Sequence, residues 1–411
     1  MSADALGFDV TQLEEISPIP KTIISKNNLS RFRHLVDRDI STLISKDYLK
    51  LEVGKPTSFD THPAFFAATI ETPDAELDEN NRGMLKNFTR GLPFSKEPST
   101  EDSLSGIKIA WNMRYAYFGD SGRVPEMIWE LKDWRKKTID FRMSFSGSAM
   151  RFTHRHILQP TPAIPKNPEN AFGAAYLTAI DAGSYDKTEA LIYINKNEAE
   201  DINGWVYIPQ LERTQSLASF RTEESMFGSD ILATDFLTFS GRIVDFDWIF
   251  LGTTYTLLPL YRHDLAQKSE KFVKKHNYRH VAFSGRADCF PKVPWQIRKT
   301  YVLKAVSKKK SSRVGTRIFF IDAQTMAPVI WKIYDKNNRL WKLIINAFAH
   351  ANSHALVNQE SGAPVLTGFS TIDTLTNRCT TIQLLTIIND KTVKFKDFTV
   401  NNMRVGGRRF R

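Results

Sequence analysis

Four histidines have spacings that suit shared metal binding. His154 and His156, one residue apart, would share one side of a strand, and His350 and His354, four apart, would share one face of a helix. Neither pair comes with a nearby cysteine or with the glutamate of an HExxH helix, so both are expected to be surface or hydrogen-bonded histidines and no metal site is assigned. A serine hydrolase needs a nucleophile elbow of the form GxSxG. The nearest strings, Phe145–Ser146–Gly147–Ser148 and Gly228–Ser229–Asp230, do not fit it. Glu223–Glu224 and the pair Asp245 and Asp247 could do acid–base work, but nothing around them marks a site. Phosphate cradles of the GxGxxG or GxxxxGK type are absent, so no nucleotide or other cofactor is expected. Cys289 and Cys379 stand far apart outside any CxxC pattern, leaving both a single disulfide and two free thiols open. The expectation is a protein that is not an enzyme.

Side chains such as these act only where elements hold them, and the chain is long enough to build those elements. Its 411 residues, 42% hydrophobic and 12% aromatic, can fill a sizeable core. No window approaches the roughly 18 apolar residues of a membrane span. The excess of 56 Lys and Arg over 45 Asp and Glu gives +11, much of it in Lys308–Lys309–Lys310 and in the tail with Arg404, Arg408, Arg409 and Arg411. Exposed turns and termini commonly carry such charge, and no nucleic-acid module accompanies it.

From Asn28 to Tyr48 apolar residues recur at helical spacing, which predicts an amphipathic helix broken near Asp39. Gly54 to Pro98 reads as connecting structure. From Ile107 onward the pattern turns to short β-branched and aromatic runs between Gly, Asn, Asp and Lys clusters, as antiparallel strands with turns require. The clearest strands are Ala190 to Asn195, Gly204 to Gln210, Thr316 to Asp322, Pro328 to Tyr334, Leu340 to Ala347 and Thr380 to Thr386, with a hairpin turn at Asp335–Lys336–Asn337–Asn338. Period two puts Trp205 with Tyr207, Trp331 with Ile333, and Trp341 with Leu343 on common strand faces. Lys332 and Lys342 alternate with these and are expected to face water, leaving the two C-terminal faces to form one apolar surface.

Several blocks, in order, resemble one family. Gly91–Leu92–Pro93–Phe94 and Ile107–Lys108–Ile109–Ala110–Trp111–Asn112 are similar to its "GLPFP … GIKLAWN" opening. Trp205–Val206–Tyr207–Ile208–Pro209 with Leu211, Arg213 and Thr214 resembles "WxYxPxLRRxRR", and Phe227–Gly228–Ser229–Asp230 with Asp235 and Phe236 resembles "GSDxTxDDF". Asp247–Trp248 with Leu251–Gly252, then Arg298 to Val302, Ile318 to Asp322, Pro328, Tyr334–Asp335 and Trp341–Lys342, resemble its closing segments. The family is that of outer-membrane lipoprotein-sorting proteins, family of unknown function number 1329. Glu212 and Gln215 depart from its arginine cluster and leave only Arg213.

The resemblance implies a mainly β (α+β) fold like the periplasmic carriers LolA and LolB. That is a large curved antiparallel sheet, an unclosed half-barrel, with helices covering the concave face. It implies one domain overall, with an N-terminal extension at 1–27, a helix and connecting segment at 28–106, and the sheet at 107–411. The function it implies is periplasmic binding or carriage of a lipid, lipoprotein or other hydrophobic ligand beside an envelope transporter or outer-membrane protein, with an export signal expected upstream of Met1. Trp205, Tyr207, Trp331, Ile333, Trp341 and Leu343 become cavity candidates, and Arg213 with Asp230 a head-group site or structural ion pair. The alternative is an envelope scaffold that binds a partner protein through an open sheet edge.

Overall fold

The computed structural model describes residues 9–71, 75–81, 83–165, 167, 171–195, 202–217 and 223–404, and the basic residues Arg408, Arg409 and Arg411 lie outside them. Its centre is a sheet of 17 strands among the described residues. Six consecutive strands form a first meander: β1 (Ser121–Asp133), β2 (Thr138–Arg151), β3 (Ala171–Asp181), β4 (Glu189–Asn195), β5 (Asn203–Ile208) and β6 (Arg213–Leu217). Seven form a second: β7 (Phe246–Leu258), β8 (Pro294–Ser307), β9 (Val314–Asp322), β10 (Pro328–Asp335), β11 (Leu340–Ala349), β12 (Val365–Asp373) and β13 (Arg378–Leu384). The last strand pairs antiparallel with the first, Thr380 opposite Leu131, so the meanders fuse into one sheet whose ends are β6 and β7. Those two strands do not pair with each other, and the barrel is unclosed. Short strands add two parallel pairings, Leu260–Tyr261 on β11 and Leu51–Val53 on β8, so the sheet is mixed rather than purely antiparallel.

The segment that joins the two ends decides what the inner face meets. Residues 223–245 run back across the concave side as a string of short 3-10 turns. Asp235 pins this crossover to the sheet, since its carboxylate accepts from Arg317 Nε at 3.1 Å, Arg317 Nη2 at 2.7 Å and Trp331 Nε1 at 2.9 Å. Asn346 Nδ2 adds a bond to Leu237 O at 2.8 Å. Phe227 and Phe236 pack on Trp129 of β1. The concave face is therefore covered by this crossover together with one helix, whose Arg114 donates to Gly241 O.

That helix spans Ser105–Tyr115, where strand structure was expected from Ile107, and the first strand begins only at Ser121. Ile107, Ile109 and Trp111 recur at every second position, as one face of a strand would. Asp102 nevertheless favours the helix, accepting from Leu104 N at 2.9 Å and pairing with Lys108 at 2.8 Å. The expected helix at 28–48 is two pieces, Leu29–Phe32 and Arg38–Ser45, joined by a 3-10 turn, with the second capped by Asp37.

The N-terminal segment covers the outer face of β7 to β11. Thr256 Oγ1 donates to Leu35 O at 2.8 Å, and Arg298 binds Asp322 at 2.7 Å and Thr57 O at 2.7 Å. Lys332 Nζ lies 2.8 Å from both Asp37 and Asp39. Burial works against its charge, but the two carboxylates outweigh it and hold the lysine above its ordinary value. Lys332 and Lys342 are 4% and 2% exposed, so neither faces water, because this half of the sheet is buried on both sides. Cys289 and Cys379 form a disulfide across a sequence separation of 90, with Cα atoms 6.2 Å apart, tying the loop before β8 to β13.

Candidate functional site

Where β1 to β4 turn their inner face toward the crossover, the residues in register are small. Gly122 of β1 lies opposite Ala149 of β2, Ala149 opposite Ala175 of β3, and Ala175 opposite Ile192 of β4. One row further along, Gly147, Leu177 and Ala190 stand in line, and on the other side the row is Arg151, Gly173 and Ile194. Facing side chains in an antiparallel pair point to the same side, so these rows make one floor. Glycine and alanine leave that floor low. The crossover does not descend to fill it, and a cavity of about 340 Å³ remains, roofed by Phe118, Phe236, Leu237 and Phe348. Ala149 is exposed and Ala175, Ile192 and Ile194 are half-buried although they sit in the middle of strands, as expected of walls around open space.

The cavity ends at a polar cluster. Arg151 closes the row at the end of β2, and Asp120 precedes β1. Burial opposes ionisation of Asp120, but the His156 side chain and the N–H groups of Ile157, Leu158 and His156 pull its pKa to about 2. His156 Nε2 accepts from Gly91 N at 2.9 Å. Gly91 has φ +90°, and a Cβ there would stand 2.7 Å from Thr69 N, so the tight approach requires glycine. His154 Nδ1 meets Thr89 O at 2.6 Å. Both histidines lie in the loop beyond β2 rather than on one strand face, each serving the connecting segment that carries Gly91.

His350 and His354 flank a single 3-10 turn and do not share a helix face. His354 instead joins a buried aromatic group with His263, Tyr278 and His280. His263 stacks on Tyr278 with centroids 4.9 Å apart, His354 lies 4.8 Å from both, and His280 meets Tyr278 at 5.5 Å. Burial, with Lys268 adding to it, pushes His263 to about 3, and burial with Lys271 pushes His280 to about 4. His354 is lowered in the same direction by burial and by His263. Among the described residues, no group of three or more His, Cys, Asp and Glu side chains has an arrangement that could hold a metal ion.

The aromatic candidates fall elsewhere. Trp331 and Ile333 lie on the inner face beneath the crossover, away from the cavity walls, and both are fully buried. Leu343 pairs with Lys332, and the register places Lys342 opposite Ile333 with Trp341 in a bulge between paired positions. The expected single apolar surface across the hairpin is therefore divided between two faces, because the bulge offsets the alternation. Trp341 Nε1 and Lys342 Nζ both reach Asp373 Oδ2, at 3.0 and 2.8 Å. Trp205 and Tyr207 pack on the outer cluster of Phe152, Leu191 and Tyr193, on the opposite side of β4 from Ile192. Arg213 is exposed on β6, with Nη2 2.8 Å from the Gln215 amide oxygen. Asp230 is buried and accepts from Thr380 Oγ1 at 2.8 Å, and burial raises its carboxyl. The structure thus separates Arg213 from Asp230. Sequence reasoning marks none of the cavity residues, although Gly147 with Ala149 and Gly173 with Ala175 place small residues at period two.

These features define a class, an open mainly β sheet that folds around an apolar chamber beneath a crossover. Within it, the chain belongs to the family described as protein of unknown function (DUF1329), which matches residues 23–404. Three solved structures are similar. One is a DUF1329 family protein from Desulfovibrio piger, 12% identical, TM-score 0.49, covering 73% of this chain and 98% of that one. A domain from Vibrio parahaemolyticus described as an outer membrane lipoprotein-sorting protein is 13% identical, TM-score 0.49, covering 74% and 100%. A LolA superfamily protein from Nitrosomonas europaea is 11% identical, TM-score 0.41, covering 73% and 98%. No curated protein matches the chain.

Proposed function

We propose that the protein is a non-catalytic carrier of a lipid, lipoprotein or other hydrophobic compound in the periplasm, delivering to or receiving from an envelope transporter. The observation that carries this reading is the apolar cavity of about 340 Å³ over the Gly and Ala floor of β1 to β4. Burial of an acyl chain there is worth about 0.8 kcal/mol per methylene, and the volume lies within the range of small-molecule sites. A buried disulfide suits an oxidising compartment. No helix among the described residues is long and apolar enough to cross a membrane.

The test is displacement of a fluorescent fatty-acid probe from delipidated protein, with Ala149→Trp as the blocking variant. Because Ala149 is exposed into the cavity, the indole should occupy ligand space without overpacking the core, so saturable binding is expected to disappear while the urea midpoint stays nearly unchanged. Absence of saturable probe binding by the folded wild-type chain would discard the carrier. It would favour the scaffold reading, for which the unpaired edges of β6 and β7 offer the surface.

A further inference from the structure

Two charged residues interrupt the apolar lining, Asp120 and Arg151, and they are not equally occupied. The Asp120 carboxylate already accepts the N–H groups of His156, Ile157 and Leu158 at 2.6 to 3.0 Å. Arg151 Nη2 donates to Ala116 O at 2.6 Å, and its guanidinium carbon stands 5.6 Å from the centre of the Phe172 ring. Its Nη1 is enclosed and meets no hydrogen-bond partner among the described residues. A second guanidinium, Arg155, is 1% exposed and is bonded to the carbonyls of Leu158, Pro160 and Arg151. Two arginines thus share the field of one carboxylate at this end of the chamber, and one of them keeps an unused donor. Gly173 lies opposite Arg151 in the register, where a Cβ would stand 2.6 Å from Met150 O, so this row brings the two strand backbones together beside the guanidinium's stem.

Resting on the reading of the chamber as a hydrophobic-ligand site, we propose that its ligand is a single-tailed anionic amphiphile whose acidic head is bound by Arg151. The tail lies along the Gly and Ala floor. The head supplies an anionic oxygen, that of a carboxylate or a phosphate monoester, which accepts from the guanidinium and offsets the surplus positive charge. Arg151 is preorganised for this because its bond to Ala116 O and its place beside Phe172 fix the fork before any ligand arrives.

The experiment titrates the delipidated full chain with decanoate, decyl phosphate and decanol, in wild type, Arg151→Gln and Arg151→Lys. The two acids are expected to bind at least about tenfold more tightly than decanol to wild type, and the stronger of them identifies the head group. Arg151→Gln should remove that advantage while leaving decanol within about twofold, and Arg151→Lys should retain part of it. Equal binding of all three by wild type would overturn the head-group assignment and leave the hydrophobic site standing. Equal weakening of decanol and acids in Arg151→Gln would reduce Arg151 to a wall support and overturn it too. Failure of all three to bind wild type would overturn the chamber reading itself.

Discussion

Asp235 is the residue on which the interior depends most visibly. One carboxylate serves a guanidinium that is 1% exposed and an indole that is fully buried, and through them it holds the crossover against β9 and β10. Removing one partner of such a pair leaves an uncompensated buried charge, so Asp235→Ala is expected to cost about 3–5 kcal/mol in urea unfolding. Replacing Arg313, whose guanidinium rests over the face of Trp341 at an exposed position, should cost under about 1 kcal/mol. A comparison of the two midpoints measures the difference. If Asp235→Ala unfolds no more readily than the Arg313 variant, the crossover is held by its apolar side chains instead.

At the scale of elements, the disulfide closes a loop of 90 residues between the segment before β8 and strand β13. Cross-linking over such a span restricts the unfolded chain, and its loss is expected to cost about 2–5 kcal/mol. Urea denaturation of Cys289→Ala/Cys379→Ala against wild type reads this directly, and unchanged midpoints would mean that the bond adds nothing to folding. The strands themselves were legible wherever one face is apolar and turn residues bound the run, as at Pro328–Asp335 and Leu340–Ala349 with the turn between them. What alternation could not reveal was the layer outside the sheet. Lys332 looks solvated in sequence because its partners, Asp37 and Asp39, stand almost 300 positions away. Ser105–Tyr115 looked like a strand for a related reason, since its alternation mimics period two while Asp102, which accepts from Leu104 N just before the helix, lies outside the run. The cavity was least legible of all, because glycine and alanine carry no functional group and matter only when four strands bring them into one row.

For the whole molecule, acidity should be the sharpest environmental variable. His263, His280 and His354 are neutral in the fold, with the first two at about 3 and about 4, and each would take up a proton near pH 6.5 once unfolded. A base whose folded pKa is depressed contributes full stability above the unfolded value, and that stability declines as pH falls below it toward the folded pKa. From pH 6.5 down to about 4, His263 and His280 should therefore each remove up to about 1.4 kcal/mol per pH unit, with His354 acting in the same direction. The carboxylates of Asp120 and Glu130, both held at about 2, keep their contribution through most of this range and begin to lose it only as pH falls through their ordinary values of 3.8 and 4.5. Urea midpoints measured from pH 7.5 to 4.5 should fall steeply. A flat profile would mean that these imidazoles are already charged or solvated in the native state.

The rows of the floor also fix a length. From Arg151 to Gly147 is four residues of one strand, roughly 13 Å. At that second row Leu177, with Met127 over Gly147, closes the far wall. A tail anchored by its head at Arg151 would gain about 0.8 kcal/mol with each added methylene until it meets that wall, after which further carbons must bend back or protrude. The chamber then works as a gauge with an end stop, and a homologous series of acids should show affinity climbing evenly and then levelling off. Shortening the gauge at its middle row by Ala175→Leu, where the side chain is half-buried and lines the chamber, should move that plateau to shorter acids, and isothermal titration across the series would show whether it does.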